Sequence, residues 1–157
     1  MEFIVYTLIA IALIVVLFTV KKSFSISSSL DIAATREQIQ QRILDFNTWK
    51  EWSPWLLHEP DTKIVLSDNY QQEQGFYTWE GKLVGSGKLT HEVIKNGSID
   101  QDIQFIKPFK SKAKTYWRIE QLNGEQCRVT WSMDSAMPLQ KKPIPFNFAS
   151  LANKNAK

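Results

Sequence analysis

Apolar positions along this chain follow two periods, and the places where the period changes mark its elements. Phe24, Ile26, Ser28, Leu30 and Ile32 share one parity and alternate with polar or small residues. That alternation predicts a first strand with one buried face. The period then lengthens: Ile39, Ile43 and Phe46 stand at i, i+4 and i+7, the face of a helix. Thr35 with Gln38 fits a capping box, so the helix starts at Ala34–Thr35. Ahead of both lies a run with no alternation. Phe3 to Val20 is eighteen residues without a charge, interrupted only by Thr7 and Thr19.

Period two returns after Glu59-Pro60-Asp61, a turn signal. A short second strand spans Lys63 to Leu66. A third, Gly75 to Glu80, is rich in aromatics at Phe76, Tyr77 and Trp79. A fourth, Leu83 to Ile94, is broken by Gly85-Ser86-Gly87, where two glycines predict a bulge or a sharp bend. A phosphate-binding loop would need a strand–turn–helix setting, and these glycines lead into strand instead. Asn96-Gly97 predicts a hairpin. The fifth strand, Ser98 to Ile106, leads into Lys107-Pro108-Phe109. The sixth carries Ala113, Thr115, Trp117 and Ile119 on one face and Lys112, Lys114, Tyr116 and Arg118 on the other. After Asn123-Gly124, the seventh sets Val129, Trp131 and Met133 against Arg128, Thr130 and Ser132.

One strand, a helical stretch and about six strands in hairpin succession predict an α+β domain with an antiparallel sheet. Trp79, Trp117 and Trp131 fall on its apolar face. The basic face of the sixth strand is either solvated sheet surface or a contact for anionic lipid headgroups.

The helical stretch ends in Phe46-Asn47-Thr48-Trp49-Lys50-Glu51-Trp52-Ser53-Pro54-Trp55, with three of the six tryptophans inside seven residues. Phe46, Trp49 and Trp52 recur every three residues, which on a helix makes a stripe about 120° wide. Pro54 is expected to end that helix, because it lacks an N–H and disfavours helical geometry at Ser53. Two readings fit: a Trp-rich core corner or the wall of a hydrophobic ligand pocket.

The apolar run Phe3–Val20 would be about 27 Å long as a helix, close to the ~30 Å of a hydrocarbon core. Lys21 and Lys22 come next, where lysines snorkel to headgroups. A cleaved signal peptide would have a positive n-region and a shorter apolar core. An uncleaved single-pass anchor over residues 1–22 is therefore the expectation, and the flanking lysines favour a cytoplasmic domain over a periplasmic or lumenal one. The rest divides into a domain at 23–138 and a tail at 139–157. A net charge of +3 gives no argument for nucleic acid. Cys127 is the lone cysteine. It has no internal disulfide partner and reads as a small half-buried residue rather than a nucleophile.

Taken together, Phe46…Trp49…Trp52-Ser53-Pro54-Trp55, Tyr77-Thr78-Trp79-Glu80-Gly81, Gly85-Ser86-Gly87, Phe105-Ile106-Lys107-Pro108-Phe109 and Val129-Thr130-Trp131 resemble the bacterial SRPBCC (START-like) proteins. Within them the chain is most similar to the polyketide cyclase/dehydrase group that often carries an N-terminal membrane helix. The resemblance covers residues 22 to 138. It implies a helix-grip fold, in which a curved antiparallel sheet wraps a long C-terminal helix around a hydrophobic cavity. It also implies a ligand such as a lipid, sterol or polyketide, and the bacterial inner membrane as location. The chain departs from the family after Met137-Pro138. Pro143 and Pro145 interrupt the tail, so the grip helix is expected to be short or missing. The concave face, with its tryptophans, would then stand partly open to water, and the domain without its anchor would be oligomeric or depend on lipid or detergent.

Candidate chemistry is sparse. His58, His91, Glu80, Asp134 and Cys127 are the groups that could move protons or attack. His58 is expected on a surface loop near the Trp cluster and His91 on the outer face of its strand. No spacing matches a metal site, no nucleophile–base pair is legible, and no cofactor is implied. The candidate pocket residues are Phe46, Trp49, Trp52, Trp55, Trp79, Trp117 and Trp131. Three functions are compatible with these residues: a membrane-anchored binding or carrier domain for a hydrophobic small molecule or lipid, an enzyme of the cyclase/dehydrase type, and a ligand-free interaction or stress-related protein or a truncated product without function.

Overall fold

The computed structural model describes residues 23–136. The expected anchor (Phe3–Val20 with Lys21 and Lys22) and the tail with its reduced grip helix lie outside the described residues. Among the described residues, no helix is long and apolar enough to cross a membrane.

Seven strands form one antiparallel sheet in the order β1-β7-β6-β5-β4-β3-β2. They are β1 Ser23–Ile32, β2 Lys63–Leu66, β3 Phe76–Glu80, β4 Ser86–Lys95, β5 Ser98–Lys107, β6 Ser111–Asn123 and β7 Gln126–Ala136. From β2 onward each strand pairs with its sequence neighbour. The pairing of β1 with β7 alone joins distant parts of the chain, from Ser23↔Ala136 to Ile32↔Cys127. The predicted Asn96-Gly97 turn joins β4 to β5 with Gly97 at φ 76°; the turn expected at Asn123-Gly124 falls one residue later, at Gly124-Glu125, since Asn123 still pairs with Gln126. These two turns define the turn end of the sheet. At the other, the loop end, lie Ser23, the β3–β4 loop 81–85 and the β5–β6 loop 108–110.

Cross-strand pairing assembles the concave face in rows. One row runs Phe24, Ser135, Ala113, Ile103, Leu89 and Tyr77. The next runs Ile26, Met133, Thr115, Gln101 and His91, and the third Ser28, Trp131, Trp117 and Ile99. The predicted inward parity of strands six and seven is thus observed. On the outer face, Lys114 meets Asp102 at 3.6 Å and Arg118 meets Asp100 at 2.7 Å. Part of the basic row therefore has acidic neighbours, in exposed pairs that add little stability.

Two glycines solve separate local problems in β4. Gly85 has φ 70°, where a side chain is strained, and a Cβ there would run into the Lys107 carbonyl. At Gly87 a Cβ would run into the Trp79 ring, so the missing side chain lets Trp79 lie flat on the neighbouring strand. The predicted bulge is present, as a register shift between Ser86 and Gly87, with a second between His91 and Val93. The strand itself starts at Ser86 rather than Leu83, because the left-handed Gly85 closes a loop ahead of it.

The helical segment lies between β1 and β2: α1 Arg36–Leu44, a 3₁₀ helix Phe46–Glu51 and α2 Pro54–His58. The Thr35–Gln38 capping box is formed in both directions. The three-residue spacing of the aromatics proves to be that of a 3₁₀ helix, where side chains at i and i+3 eclipse. Trp49 accordingly sits on both Phe46 (5.2 Å between centroids) and Trp52 (4.9 Å). Pro54 opens α2 instead of ending a helix, since its fixed φ and absent N–H suit a first helical position.

Candidate ligand-binding face

The last carbonyls of α1 have no partner inside the helix, and the residues around it supply them. The Asp45 N–H donates to Gln41 O at 2.9 Å. The Trp49 indole N–H donates to Ile43 O at 3.0 Å. Leu44 O accepts from His91 Nε2 at 3.3 Å. His91 is 0% exposed and stacks face to face on Phe46, 4.1 Å between centroids. The expectation that it lies on the outer face is therefore wrong. It shares parity with Leu89, which points inward.

A closed polar circuit runs from His91 into the sheet. Gln101 Nε2 donates to His91 Nδ1 at 3.1 Å. Thr115 Oγ1 and Trp117 Nε1 donate to Gln101 Oε1 at 3.1 and 2.9 Å. The ends of the circuit fix its sense: the indole N–H can only donate and the Leu44 carbonyl can only accept. His91 is therefore neutral and carries its proton on Nε2. Burial pushes its pKa down to about 4, against a smaller opposing effect of the Leu44 carbonyl. Nothing in the composition marked this circuit. Parity alone would have placed His91, Gln101 and Thr115 on one face.

Across the same face the aromatic rings make an unbroken band. Phe105 meets Trp79 (6.0 Å), Trp79 meets Tyr77 (5.6 Å) and Tyr77 meets Phe46 (4.9 Å). Beyond Phe46, Trp49 and Trp52, the band continues through Trp52–Trp117 (6.1 Å), Trp117–Trp131 (6.4 Å) and Trp131–Trp55 (6.3 Å). All seven candidate pocket aromatics belong to it, together with Tyr77 and Phe105. They divide by burial. Phe46, Trp49, Trp52, Trp117 and Trp131 are buried, whereas Trp55, Trp79 and Phe105 are half-buried. On the sheet, Trp117 and Trp131 are shielded and Trp79 is half-buried; Trp52 and Trp55 lie against Trp117 and Trp131 at 6.1 and 6.3 Å. At the start of α2, Ser53 Oγ is buried with no hydrogen-bond partner among the described residues.

The remaining candidate groups do not converge. His58 is exposed at the end of α2, as expected. Glu80 is exposed and pairs with Lys107 at 3.4 Å, and Asp134 is exposed on the outer face. Cys127 is fully buried rather than half-buried, and burial raises its thiol pKa. No group of three His, Cys, Asp or Glu side chains among the described residues is placed to hold a metal. Glu59, which the sequence marked only as part of a turn, holds the β3–β4 loop. Its carboxylate accepts N–H groups from Lys82, Leu83 and Val84 at 2.6, 2.9 and 3.0 Å. These bonds, Val84's first, lower its pKa. Three successive amides form an anion nest, and this one is filled from within the chain.

No family model and no curated protein sequence matches the chain. Solved structures do. A Streptomyces aromatase/cyclase matches with a TM-score of 0.60 at 11% identity, covering 76% of this chain and 72% of that one. A START superfamily protein from Mycobacterium smegmatis gives 0.55 at 16%, covering 83% and 87%. Norcoclaurine synthase from Thalictrum flavum gives 0.51 at 11%, covering 73% and 75%. At these identities the likeness is one of fold: this chain's antiparallel seven-stranded sheet with few helices is similar in fold to a START superfamily protein and to an aromatase/cyclase.

Proposed function

We propose that this protein binds a hydrophobic small molecule or lipid on the concave face of its sheet, on a domain tethered to the membrane by the Phe3–Val20 segment. The observation that carries the reading is the aromatic band with its half-buried members Trp55, Trp79 and Phe105. The buried rings belong to the folding core, while the half-buried rings retain surface for a ligand. An apolar wall with few polar groups is the usual lining of such a site, and similar folds include a START protein and an aromatase/cyclase. A binding role fits better than catalysis. The inward polar groups His91, Gln101 and Thr115 are engaged with one another and with Leu44 and Trp117.

Native mass spectrometry of the chain extracted from membranes should show co-purified lipid or another apolar molecule. Trp55→Ala and Trp79→Ala should weaken binding of an apolar fluorescent probe several-fold with the fold retained. Trp52→Ala and Trp117→Ala should act on stability, by roughly 3–5 kcal/mol. Unchanged probe affinity in both Trp55→Ala and Trp79→Ala would remove the pocket from this face.

A further inference from the structure

We propose that the loop end of the sheet is a lipid-bilayer contact surface, with Leu83 and Phe109 at the boundary between headgroups and acyl chains and neighbouring lysines against anionic headgroups. The inference rests on the tether proposed above and adds the orientation of the domain on the bilayer.

The topology brings the parts together. β3 ends and β4 begins at this end, and so do β5 and β6, so loops 81–85 and 108–110 project side by side. They touch, since a Cβ on Gly85 would meet both the Lys107 carbonyl and the Pro108 ring. Each carries a large apolar side chain with much of its surface exposed: Leu83 is 71% exposed and Phe109 50%. Exposed apolar groups on adjacent loops, ringed by cations, mark a contact surface rather than a core.

The charge around them has the sign a bilayer with anionic lipids selects. Lys82, Lys107, Lys110 and Lys112 are exposed in or beside the two loops. Of the nearby acids, Glu80 pairs with Lys107 and Glu59 is spent on the amides of Lys82, Leu83 and Val84, leaving Asp61 exposed. Glu59 also fixes the loop that presents Leu83. At the turn end, by contrast, Leu122 is less exposed and stands beside Asn123, Gly124 and Glu125.

The chain itself points to the bilayer as the occupant. β1 begins at Ser23 on the loop end, and the apolar run closes three residues earlier at Val20. Three residues reach at most about 10 Å, so a bilayer holding Phe3–Val20 lies next to the loop end and far from the turn end.

The test uses the full chain in vesicles of phosphatidylglycerol mixed with phosphatidylcholine. Leu83→Cys, Phe109→Cys and, as the control at the turn end, Gly124→Cys each take a polarity-sensitive dye. Cys127 is buried and the unsubstituted chain serves as blank. The expected result is flotation of all chains with the vesicles. At positions 83 and 109 the emission shifts to the blue and an acyl-chain quencher acts several-fold more strongly than at position 124. Flotation with all three dyes equally in water overturns the contact surface and leaves the tether standing. Failure to float overturns both. A blue shift at 83 and 109 without lipid-borne quenching identifies a protein contact, such as a second copy, and overturns the bilayer reading.

Discussion

His91 is a basic group that the fold accepts only when neutral, and acidification tests this directly. Protonated His91 would need acceptors at both ring nitrogens. Leu44 O serves one, but Gln101 presents Nε2 to the other. Turning the Gln101 amide over would aim its NH₂ at the Trp117 and Thr115 donors. The unfolded chain takes up the proton near pH 6.5, and the folded chain holds it off until about pH 4. The folded pKa is the lower one, so this contribution to stability is complete above pH 6.5 and is lost progressively as the pH falls towards 4. Between those limits the slope amounts to about 3 kcal/mol. Asp31 and Glu59, whose pKa values are lowered from 3.8 and 4.5, lose their contributions as the pH falls below those values, so Glu59 overlaps only the acid end of the window.

Equilibrium urea unfolding followed by tryptophan emission, repeated from pH 7 to pH 4, measures the slope. His91→Phe should be less stable at pH 7, having left Leu44 O and Gln101 Nε2 unpaired, and should show a flatter profile. Gln101→Met orphans His91 Nδ1 and Thr115 Oγ1, for roughly 2–6 kcal/mol at ~1–3 per buried group. The double variant should cost less than the sum. A wild-type slope equal to that of His91→Phe, or Gln101→Met within about 0.5 kcal/mol of wild type, would refute the circuit.

Two further outcomes are expected. Gly87→Ala puts a Cβ against both the Trp79 ring and the Gln104 backbone carbonyl and should cost at least about 1–3 kcal/mol, with altered near-ultraviolet circular dichroism; an unchanged spectrum would contradict the packing. Glu59→Gln should speed hydrogen exchange at the Lys82, Leu83 and Val84 amides, and acid should do the same in the wild type. The Glu59 pKa is lowered from 4.5, so protection is present above that value and is lost as the pH falls through the lower folded one.

Much of the sheet was legible because period two survives in nearly every strand. The parity of Trp117 with Thr115 and of Trp131 with Met133 comes from alternation alone, and Asn96-Gly97 fixes a turn by its demand for positive φ. Three features were not legible. Period three at Phe46, Trp49 and Trp52 fits a helix face and a 3₁₀ stack alike, and only the hydrogen-bond pattern separates them. His91 is polar, which argues for the outer face, although its parity with Leu89 points inward; its partners are Gln101 across the β4–β5 hairpin and the Leu44 carbonyl of α1, which no local pattern announces. Glu59 reaches across to residues 82–84, a contact no local pattern announces. In the candidate site the aromatics themselves were legible, but their division into buried and half-buried rings depends on how the helical segment lies over the sheet.

The same lie of the helical segment makes a last prediction, at Trp49. Its ring is held between Phe46 and Trp52, and its indole N–H is the partner of Ile43 O in the buried final turn of α1. Trp49→Phe keeps an aromatic ring in the stack and removes the donor. The cost combines an orphaned buried carbonyl, about 1–3 kcal/mol, with a partial loss of packing that is smaller than the ~3–5 kcal/mol of full truncation to alanine. If the donor matters, Trp49→Phe should also speed exchange of the amides that close this turn, Asp45 above all, whose N–H bonds to Gln41 O. Were Trp49 only a space-filling ring, stability would fall modestly while the Asp45 amide kept its protection. That pattern would mean that α1 is held in place by the stacking of rings and not by the bonds its carbonyls receive.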